Sequence, residues 1–241
     1  MTPQGFLRAA AATPDLVVAD PAANARATVA LLEQAEAQGV NLAVFPEMGL
    51  TGYTCGDLFH TLTLPRAADA ALAEVAAFTG RGFHGVAVVG LPVAVGGQLF
   101  NAAAVLHNGR VLGVVPKAYL PNYKEFYDAR YFSPAWNGDA REIRIGPLVA
   151  PFGTDILFRC SNWSEFIVGV EICEDLWTPI PPSSRQALRG ATVLVNLSAS
   201  NEAIGKSAYR KQLVSCQSGR CMAGYISYSA RCPRTRIAGV Q

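Results

Sequence analysis

The sequence predicts an α/β protein with mixed sheets, and three observations support this fold class. Segments with helical periodicity alternate with short apolar runs of strand length along the chain. Asn108-Gly109 separates two β-rich runs, a pattern typical of a two-residue hairpin, so the sheet is expected to contain antiparallel strands. Hydrophobic residues make up 51% of the 241 residues and charged residues only 16%, which excludes disorder and predicts a large buried core.

The elements follow one another in a regular order. Residues 22–39 have apolar side chains at near-helical spacing and end at Gly39, so they predict an amphipathic helix. A buried strand over 41–46 follows directly. The later predicted elements are a helix over 67–78, strands over 85–91, 99–107 and 110–115, a loop-to-helix stretch over 118–132, a strand over 166–172, a helix over 182–190, a strand over 191–197 and a helix over 205–219.

Composition excludes several classes of protein. The formal net charge of +2 gives no reason to expect nucleic acid or a membrane surface as a partner. The longest apolar stretch, residues 85–97, is interrupted by Gly90 and Pro92 and is shorter than the roughly 18 residues of a membrane helix. The N-terminus lacks the pattern of a secretory signal, so a cytoplasmic protein is expected. Six scattered cysteines, none of them in a C-x-x-C pair, favour reduced thiols.

Two other kinds of site are disfavoured by spacing. The three histidines have no metal-ligand spacing, so no metal site is expected. Residues 200–207, SNEAIGKS, differ from a phosphate-binding G-x-x-x-x-G-K-S loop by having Ser200 in place of the first glycine. Only 34 residues follow this segment, too few for the rest of a nucleotide-binding sheet.

Three predicted strands each end in a reactive side chain: Glu47, Lys117 and Cys173. Taken alone, each has an ordinary explanation, because strand-end cysteines are usually core and lone charges are usually solvated. Together they suit attack on an amide carbonyl. A thiol with a pKa of about 8.5 needs a nearby base and a local cation to act as a nucleophile at neutral pH.

The segments FPEMGLTGY, VPKAYLPNYKEFY and GVEICEDLW resemble the carbon-nitrogen hydrolase (nitrilase) superfamily. That resemblance implies a nitrilase-like α-β-β-α sandwich with a Glu-Lys-Cys triad. It makes Cys173 the nucleophile and Glu47 the base, and it gives Lys117 the role of stabilising the oxyanion. Glu125 matches the second glutamate that orients the lysine in that superfamily.

A narrower resemblance, to the N-terminal glutaminase domain of glutamine-dependent NAD synthetases, rests on PKAYLPNYKEFYDARYF, VGVEICEDLWTPIPPSS and ATVLVNLSAS followed by IGK. It implies hydrolysis of L-glutamine to glutamate and ammonia through a thioester. Lys206 stands where close relatives have arginine, so weaker glutamine binding is expected, because an ammonium lacks the two-pronged guanidinium geometry. The resemblance implies these substrate-binding residues: Tyr123, Glu174, Ser200, Lys206, Tyr53 and Trp177.

The resemblance also implies how the chain is organised. Residues 1–228 match the glutaminase domain and residues 229–241 form an atypical tail. No Ser-Gly-Gly loop for ATP occurs, so the chain is expected to be a fragment that lacks the synthetase domain. ATP, Mg and nicotinic acid adenine dinucleotide would bind to that domain, whereas the glutaminase step needs no cofactor. Superfamily members usually assemble as homo-oligomers, and the same is expected here.

Two alternatives remain open at this point. One is a free-standing nitrilase-type amidase that acts on another small amide. The other is an inactive remnant in which the triad is vestigial. Turnover of glutamine separates the glutaminase from the other amidase, and trapping of Cys173 by a glutamine-like electrophile separates both enzymes from the remnant.

Overall fold

A computed structural model describes residues 5–135, 141–201, 203–229 and 238–239 of the chain. Its strands are β1 (Ala9–Ala11), β2 (Leu42–Val44), β3 (Val86–Val95), β4 (Gln98–His107), β5 (Arg110–Pro116), β6 (Arg141–Ile145), β7 (Leu148–Phe152), β8 (Leu157–Arg159), β9 (Ile167–Ile172), β10 (Val193–Ser198), β11 (Gly224–Ser229) and β12 (Ala238–Gly239). One sheet has the order β12-β1-β2-β3-β4-β5-β7-β6 and the other the order β11-β10-β9-β8.

The helices are α1 (Pro21–Ala37), α2 (Thr63–Thr79), α3 (Asp128–Tyr131), α4 (Pro182–Leu188) and α5 (Lys206–Cys221), with short 3₁₀ turns at Gly56–His60 and Cys173–Trp177. Helix α1 begins after Asp20, whose carboxylate accepts a hydrogen bond from the Ala23 backbone N–H at 2.9 Å. Helices α1 and α2 pack on the larger sheet, and α4 and α5 pack on the smaller one.

The two sheets pack against each other through aliphatic side chains. Val44, Val88 and Val105 of the larger sheet meet Val170 and Val195 of the smaller sheet in one buried cluster. A second cluster joins the other face of the larger sheet to α1 and α2. Because each sheet is covered on both faces, the architecture is an α-β-β-α sandwich with mixed sheets, and the fold prediction is confirmed.

The hairpin prediction is confirmed at its turn. Strands β4 and β5 pair antiparallel, with His107 opposite Arg110. Asn108 and Gly109 both have positive φ, at 50° and 75°, as a type I′ turn requires. The register of the two strands shifts by one residue between Leu106 and Val105, and pairing then continues to Ala102 opposite Pro116, after which Lys117 follows.

The other predicted elements occur with boundaries shifted by a few residues, and two differences stand out. The loop-to-helix stretch over 118–132 forms only the single turn α3, and the chain before it is an extended loop. Strands β1, β6, β7, β8, β11 and β12 were not expected. A segment such as Ala9–Ala11 has neither alternation nor a β-branched run. Of the 229–241 tail, the structure describes Ser229 and β12, which pairs with β1; the rest lies outside the described residues.

Among the described helices, none is long and apolar enough to cross a membrane.

Candidate active site

Glu47, Lys117 and Cys173 meet at one edge of the sandwich. Glu47 lies in the turn after β2, Lys117 directly after β5 and Cys173 directly after β9. The Lys117 Nζ atom lies 2.7 Å from Glu47 Oε1, and Cys173 interacts electrostatically with both charges. All three are buried, with 1%, 1% and 6% of their surface exposed. The structure therefore brings together the three residues that the sequence singled out.

Gly90 allows the turn around Glu47 to approach β3. A Cβ atom at this position would lie 2.5 Å from the Pro46 carbonyl oxygen and 2.6 Å from the Met48 backbone nitrogen. Any larger residue at position 90 would therefore push the Glu47 backbone away from the sheet.

The Glu47 carboxylate is held by three donors. Its Oε1 atom accepts from Asn101 Nδ2 and from Lys117 Nζ, each at 2.7 Å, and its Oε2 atom accepts from the Ala199 backbone N–H at 2.8 Å. These bonds fix both oxygens in a buried site, so the carboxylate has one orientation relative to Cys173.

Lys117 has a second carboxylate partner, which sequence reasoning missed. Its Nζ atom lies 2.6 Å from Asp128 Oδ2, and Asp128 also accepts a hydrogen bond from the Tyr53 hydroxyl. Glu125, which was expected to orient the lysine, is exposed and accepts instead from the Asn201 side chain. The correction follows from the chain path, because residues 118–127 form a loop and α3 brings Asp128, rather than Glu125, back to the lysine.

The electrostatics favour a protonated lysine and a neutral thiol at rest. Burial lowers the pKa of Lys117, but Glu47, Cys173 and Asp128 together raise it well above its usual value. Burial, together with the Glu47 carboxylate, raises the pKa of the Cys173 thiol to about 12, although Lys117 acts in the opposite direction. Cys173 therefore holds its proton at neutral pH.

Cys173 begins a tight turn. Cys173 has φ at +47°, an uncommon value for a residue other than glycine, and starts the 3₁₀ turn Cys173–Trp177. Asp175 in this turn accepts from the Ile172 N–H at 2.9 Å and from the Ala118 and Tyr119 N–H groups at 3.1 and 2.8 Å. The Asp175 carboxylate thus ties the Cys173 turn to the loop after Lys117.

A cavity of about 240 Å³ opens beside Cys173. Of the six residues expected to bind substrate, five line this cavity: Tyr123, Glu174, Trp177, Ser200 and Lys206. Tyr53 does not line it, because its hydroxyl points to Asp128 behind Lys117. Phe126 and Asn201 also line the cavity, and neither was singled out by the sequence.

Several polar side chains around this cavity form hydrogen bonds with one another. The Tyr123 hydroxyl donates to Glu174 Oε2 at 3.0 Å, and burial raises the pKa of the Glu174 carboxyl. The Lys206 ammonium lies 5.5 Å from the Trp177 ring centroid and 5.8 Å from that of Phe126, and it donates to the Asn201 side chain. The cavity therefore presents a carboxylate and an ammonium above Cys173, between aromatic walls.

Within the described part of the chain, no group of three or more His, Cys, Asp or Glu side chains could hold a metal ion. Lys206, the lysine of the segment that resembles a phosphate loop, lines the same cavity as Cys173.

A match to a known protein family covers most of the chain. The family model described as carbon-nitrogen hydrolase matches residues 8–227. The chain belongs to the carbon-nitrogen hydrolase family. Residues 47, 117 and 173 all lie within the matched range.

Several glutamine-dependent NAD(+) synthetases are similar to the chain over part of their length. It is 43% identical over 226 residues to a glutamine-dependent NAD(+) synthetase of Mycobacterium tuberculosis, covering 94% of this chain and 33% of that protein. It is 35% identical over 193 residues to the Thermotoga maritima protein of the same name, covering 80% of this chain and 30% of that protein. The chain matches the N-terminal region of such proteins and spans about a third of their length.

Solved structures with a similar fold include NAD(+) synthetases and amidases. A glutamine-dependent NAD(+) synthetase from Cytophaga hutchinsonii superposes with a TM-score of 0.81 at 28% identity, covering 96% of this chain and 37% of that one. An amidase from Nesterenkonia sp. superposes with a TM-score of 0.73 at 18% identity, covering 97% of this chain and 82% of that one. The second likeness shows the shared sandwich fold of the carbon-nitrogen hydrolases.

Proposed function

We propose that this carbon-nitrogen hydrolase domain hydrolyses L-glutamine to glutamate and ammonia. The observation that carries the proposal is the buried contact of Glu47 with Lys117 beside the Cys173 thiol, at the base of a cavity with an acidic and a basic group. The similarity to glutamine-dependent NAD(+) synthetases supports glutamine as the amide.

Acylation begins with attack of the Cys173 sulfur on the amide carbon, while the thiol proton moves to Glu47. Because the pKa of this thiol is raised to about 12, the base must accept the proton as the sulfur–carbon bond forms. The negative charge that develops on the carbonyl oxygen is stabilised by the Lys117 ammonium and by the backbone N–H of Glu174. Such a donor contributes on the order of 3 kcal/mol to lowering the barrier.

Collapse of the tetrahedral intermediate breaks the carbon–nitrogen bond. Glu47 returns its proton to the leaving nitrogen, which departs as ammonia, and a γ-glutamyl thioester remains on Cys173. In the second half of the reaction, Glu47 takes a proton from water, the resulting hydroxide attacks the thioester, and glutamate leaves as the sulfur is reprotonated. The sum is one glutamine and one water converted to glutamate and ammonia.

Recognition of glutamine is assigned to the cavity rim. The Lys206 ammonium binds the substrate α-carboxylate and the Glu174 carboxylate binds the α-ammonium, each as a charge-assisted hydrogen bond. Tyr123 and Ser200 add hydroxyl groups, and the Trp177 ring packs against the methylene groups of the side chain. A cavity that binds both the α-carboxylate and the α-ammonium prefers an amino acid to a simple amide, because a simple amide has neither group.

The ammonia is proposed to serve NAD synthesis, as the name of the relatives suggests. Nicotinic acid adenine dinucleotide is the acceptor that the family resemblance implies. ATP, Mg and the dinucleotide would bind to a synthetase domain, and the glutaminase step itself uses none of them.

Covalent labelling tests the proposal. A glutamine analogue with a diazoketone in place of the amide should alkylate Cys173, with peptide mass spectrometry locating the adduct. L-Glutamine should protect Cys173 at millimolar concentration, whereas propionamide, a simple amide, should not. Equal protection by both would instead favour an amidase for small amides, and labelling at other cysteines with Cys173 unmodified would contradict the nucleophile assignment.

A further inference from the structure

The carboxyl end of β10 contacts both the proposed base and the proposed nucleophile. The Ala199 backbone N–H donates to Glu47 Oε2 at 2.8 Å, and the preceding residue, Ser198, lowers the pKa of the Cys173 thiol. Strand β10 pairs in parallel with β9, with Leu197 opposite Ile172, so Ser198 and Cys173 are the next residues along the two neighbouring strands. This short segment therefore sets the position of the sulfur relative to the carboxylate.

Asn196 links this segment to the Cys173 backbone. Its Nδ2 atom lies 3.4 Å from the Cys173 carbonyl oxygen and 3.5 Å from Glu171 Oε1, while its Oδ1 atom accepts from the Ser198 hydroxyl at 2.8 Å. The Asn196 amide nitrogen faces two acceptors and its oxygen faces a hydroxyl donor, so the amide has a single orientation. Both Asn196 and Ser198 are buried, so water does not compete strongly for these bonds.

The far end of the network is also fixed. The buried Glu171 carboxylate accepts from the Ser183 backbone N–H at 2.8 Å and from the Tyr225 hydroxyl. A continuous series of hydrogen bonds thus runs from Tyr225 through Glu171 and Asn196 to Ser198, the residue next to Cys173 across the strand pair. None of these four side chains, Tyr225, Glu171, Asn196 and Ser198, has a part in the acylation and deacylation steps described above.

A serine hydroxyl has one hydrogen and turns about its C–O bond, so it can serve two acceptors in turn. While sulfur is a thiol, Ser198 donates to Asn196; once the thiol proton has moved to Glu47, the same hydroxyl can donate to the sulfur. We infer that Ser198 donates a hydrogen bond to the developing thiolate of Cys173, and that Asn196 is the positioning residue that keeps this hydroxyl in reach. The inference rests on the proposed nucleophilic role of Cys173.

The Ser198 hydroxyl is expected to change the pKa of the Cys173 thiol in one direction. The hydrogen bonds from Ser198 and Ala199 lower the pKa of Cys173, against the larger effect of burial. Removal of the Ser198 hydroxyl should therefore raise the pKa of the thiol further and reduce the thiolate fraction at every pH below that value.

Alkylation of Cys173 by iodoacetamide, followed by peptide mass spectrometry between pH 7 and 10 on the full chain, measures this effect without substrate turnover. Ser198→Ala is expected to lower the rate about five-fold at each pH, as the loss of one hydrogen bond implies, and Ser198→Thr to restore it to within about two-fold. Asn196→Ala should lower the rate in the same direction. Adding it to Ser198→Ala should cause little further loss, because both act through the same hydroxyl.

Thr79→Val supplies the matched control, since it removes a buried hydroxyl of α2 that bonds only backbone groups, the Ala76 carbonyl and the Gly109 N–H. It should leave the alkylation profile unchanged. A Ser198→Ala profile equal to that of the wild type, or losses that add fully in the double variant, would overturn the inference. Absence of alkylation at Cys173 in the wild type would instead overturn the proposed nucleophile, and this inference with it.

Discussion

The base of the site, meaning its buried bottom around Glu47 and Lys117, and the exposed rim around Tyr123 and Lys206 are built in different ways. Glu47 and Lys117 are almost completely buried, follow strands of the larger sheet and share a 2.7 Å contact. Tyr123 is 49% exposed, in the loop before α3, and pairs with the half-buried Glu174. Lys206, at the start of α5, is only partly buried between two rings.

The difference separates two kinds of energetic contribution. Charges at the base are removed from water, so losing one leaves its partner buried and unpaired, and the geometry for attack is lost. Charges at the rim remain partly solvated and act on the bound substrate as a whole. Substitutions of the buried residues at the bottom of the site should therefore lower kcat, whereas substitutions of the residues at its rim should change KM.

The largest effect is expected at the base from Glu47→Gln. This nearly isosteric change removes the proton acceptor for Cys173, so kcat for glutamate release should fall about 1,000-fold, within the range of general base catalysis. KM should change less than three-fold. Glu33→Gln, an exposed site on α1, should behave as wild type; a Glu47→Gln enzyme with more than a tenth of the wild-type kcat would contradict the base assignment.

A smaller effect at the base, about 30-fold on kcat, is expected from Asp128→Asn. The Lys117 ammonium would lose one of its two carboxylates and be less firmly oriented towards the oxyanion. Glu125→Gln is the comparison variant, because Glu125 does not contact Lys117 and should change kcat less than two-fold. The reverse ranking of these two variants in steady-state kinetics would restore Glu125 as the orienting carboxylate.

At the rim, Lys206→Ala should raise KM for glutamine about 10-fold and leave kcat within two-fold, as loss of one charge-assisted hydrogen bond to the substrate implies. Lys211→Ala, an exposed lysine on the same helix, serves as the control for a change in surface charge. A fall in kcat without a change in KM would remove Lys206 from substrate binding and place it with the base of the site.

The smallest change, and the one in the favourable direction, is Lys206→Arg. A guanidinium can bind the α-carboxylate through two parallel hydrogen bonds, so KM should fall about three-fold. The same glutamine titration measures it, and an unchanged KM would count against Lys206 as the carboxylate ligand.

The contrast between residues that follow strands and residues in loops also explains which parts of the site could be predicted from the sequence. Glu47, Lys117 and Cys173 each follow an apolar run that forms a strand, which local sequence patterns predicted. Their grouping in one site was implied by the resemblance to the carbon-nitrogen hydrolase superfamily. Asp128 could not be predicted, because its contact with Lys117 depends on the path of the loop over 118–127, for which periodicity carries no signal. The roles assigned to these residues stay predictions until variants are measured.

Some elements of the fold could likewise be predicted from the sequence, and others could not. Helices α1 and α2 and the β4–β5 hairpin have strong local patterns and were predicted. Strands β6 and β7 pair at the edge of the larger sheet, where their alternation is partly polar and their placement depends on contacts with β5. Short strands of this kind are defined by their neighbours rather than by their own sequences.

The most direct test of the account is glutamate release from L-glutamine by the purified chain, compared with Cys173→Ala. The account predicts release of glutamate and ammonia in equal amounts by the wild-type chain and none above background by the variant. Equal release by both proteins, or no release by wild-type protein whose fold is confirmed by circular dichroism, would contradict the claim that Cys173 hydrolyses glutamine in this domain.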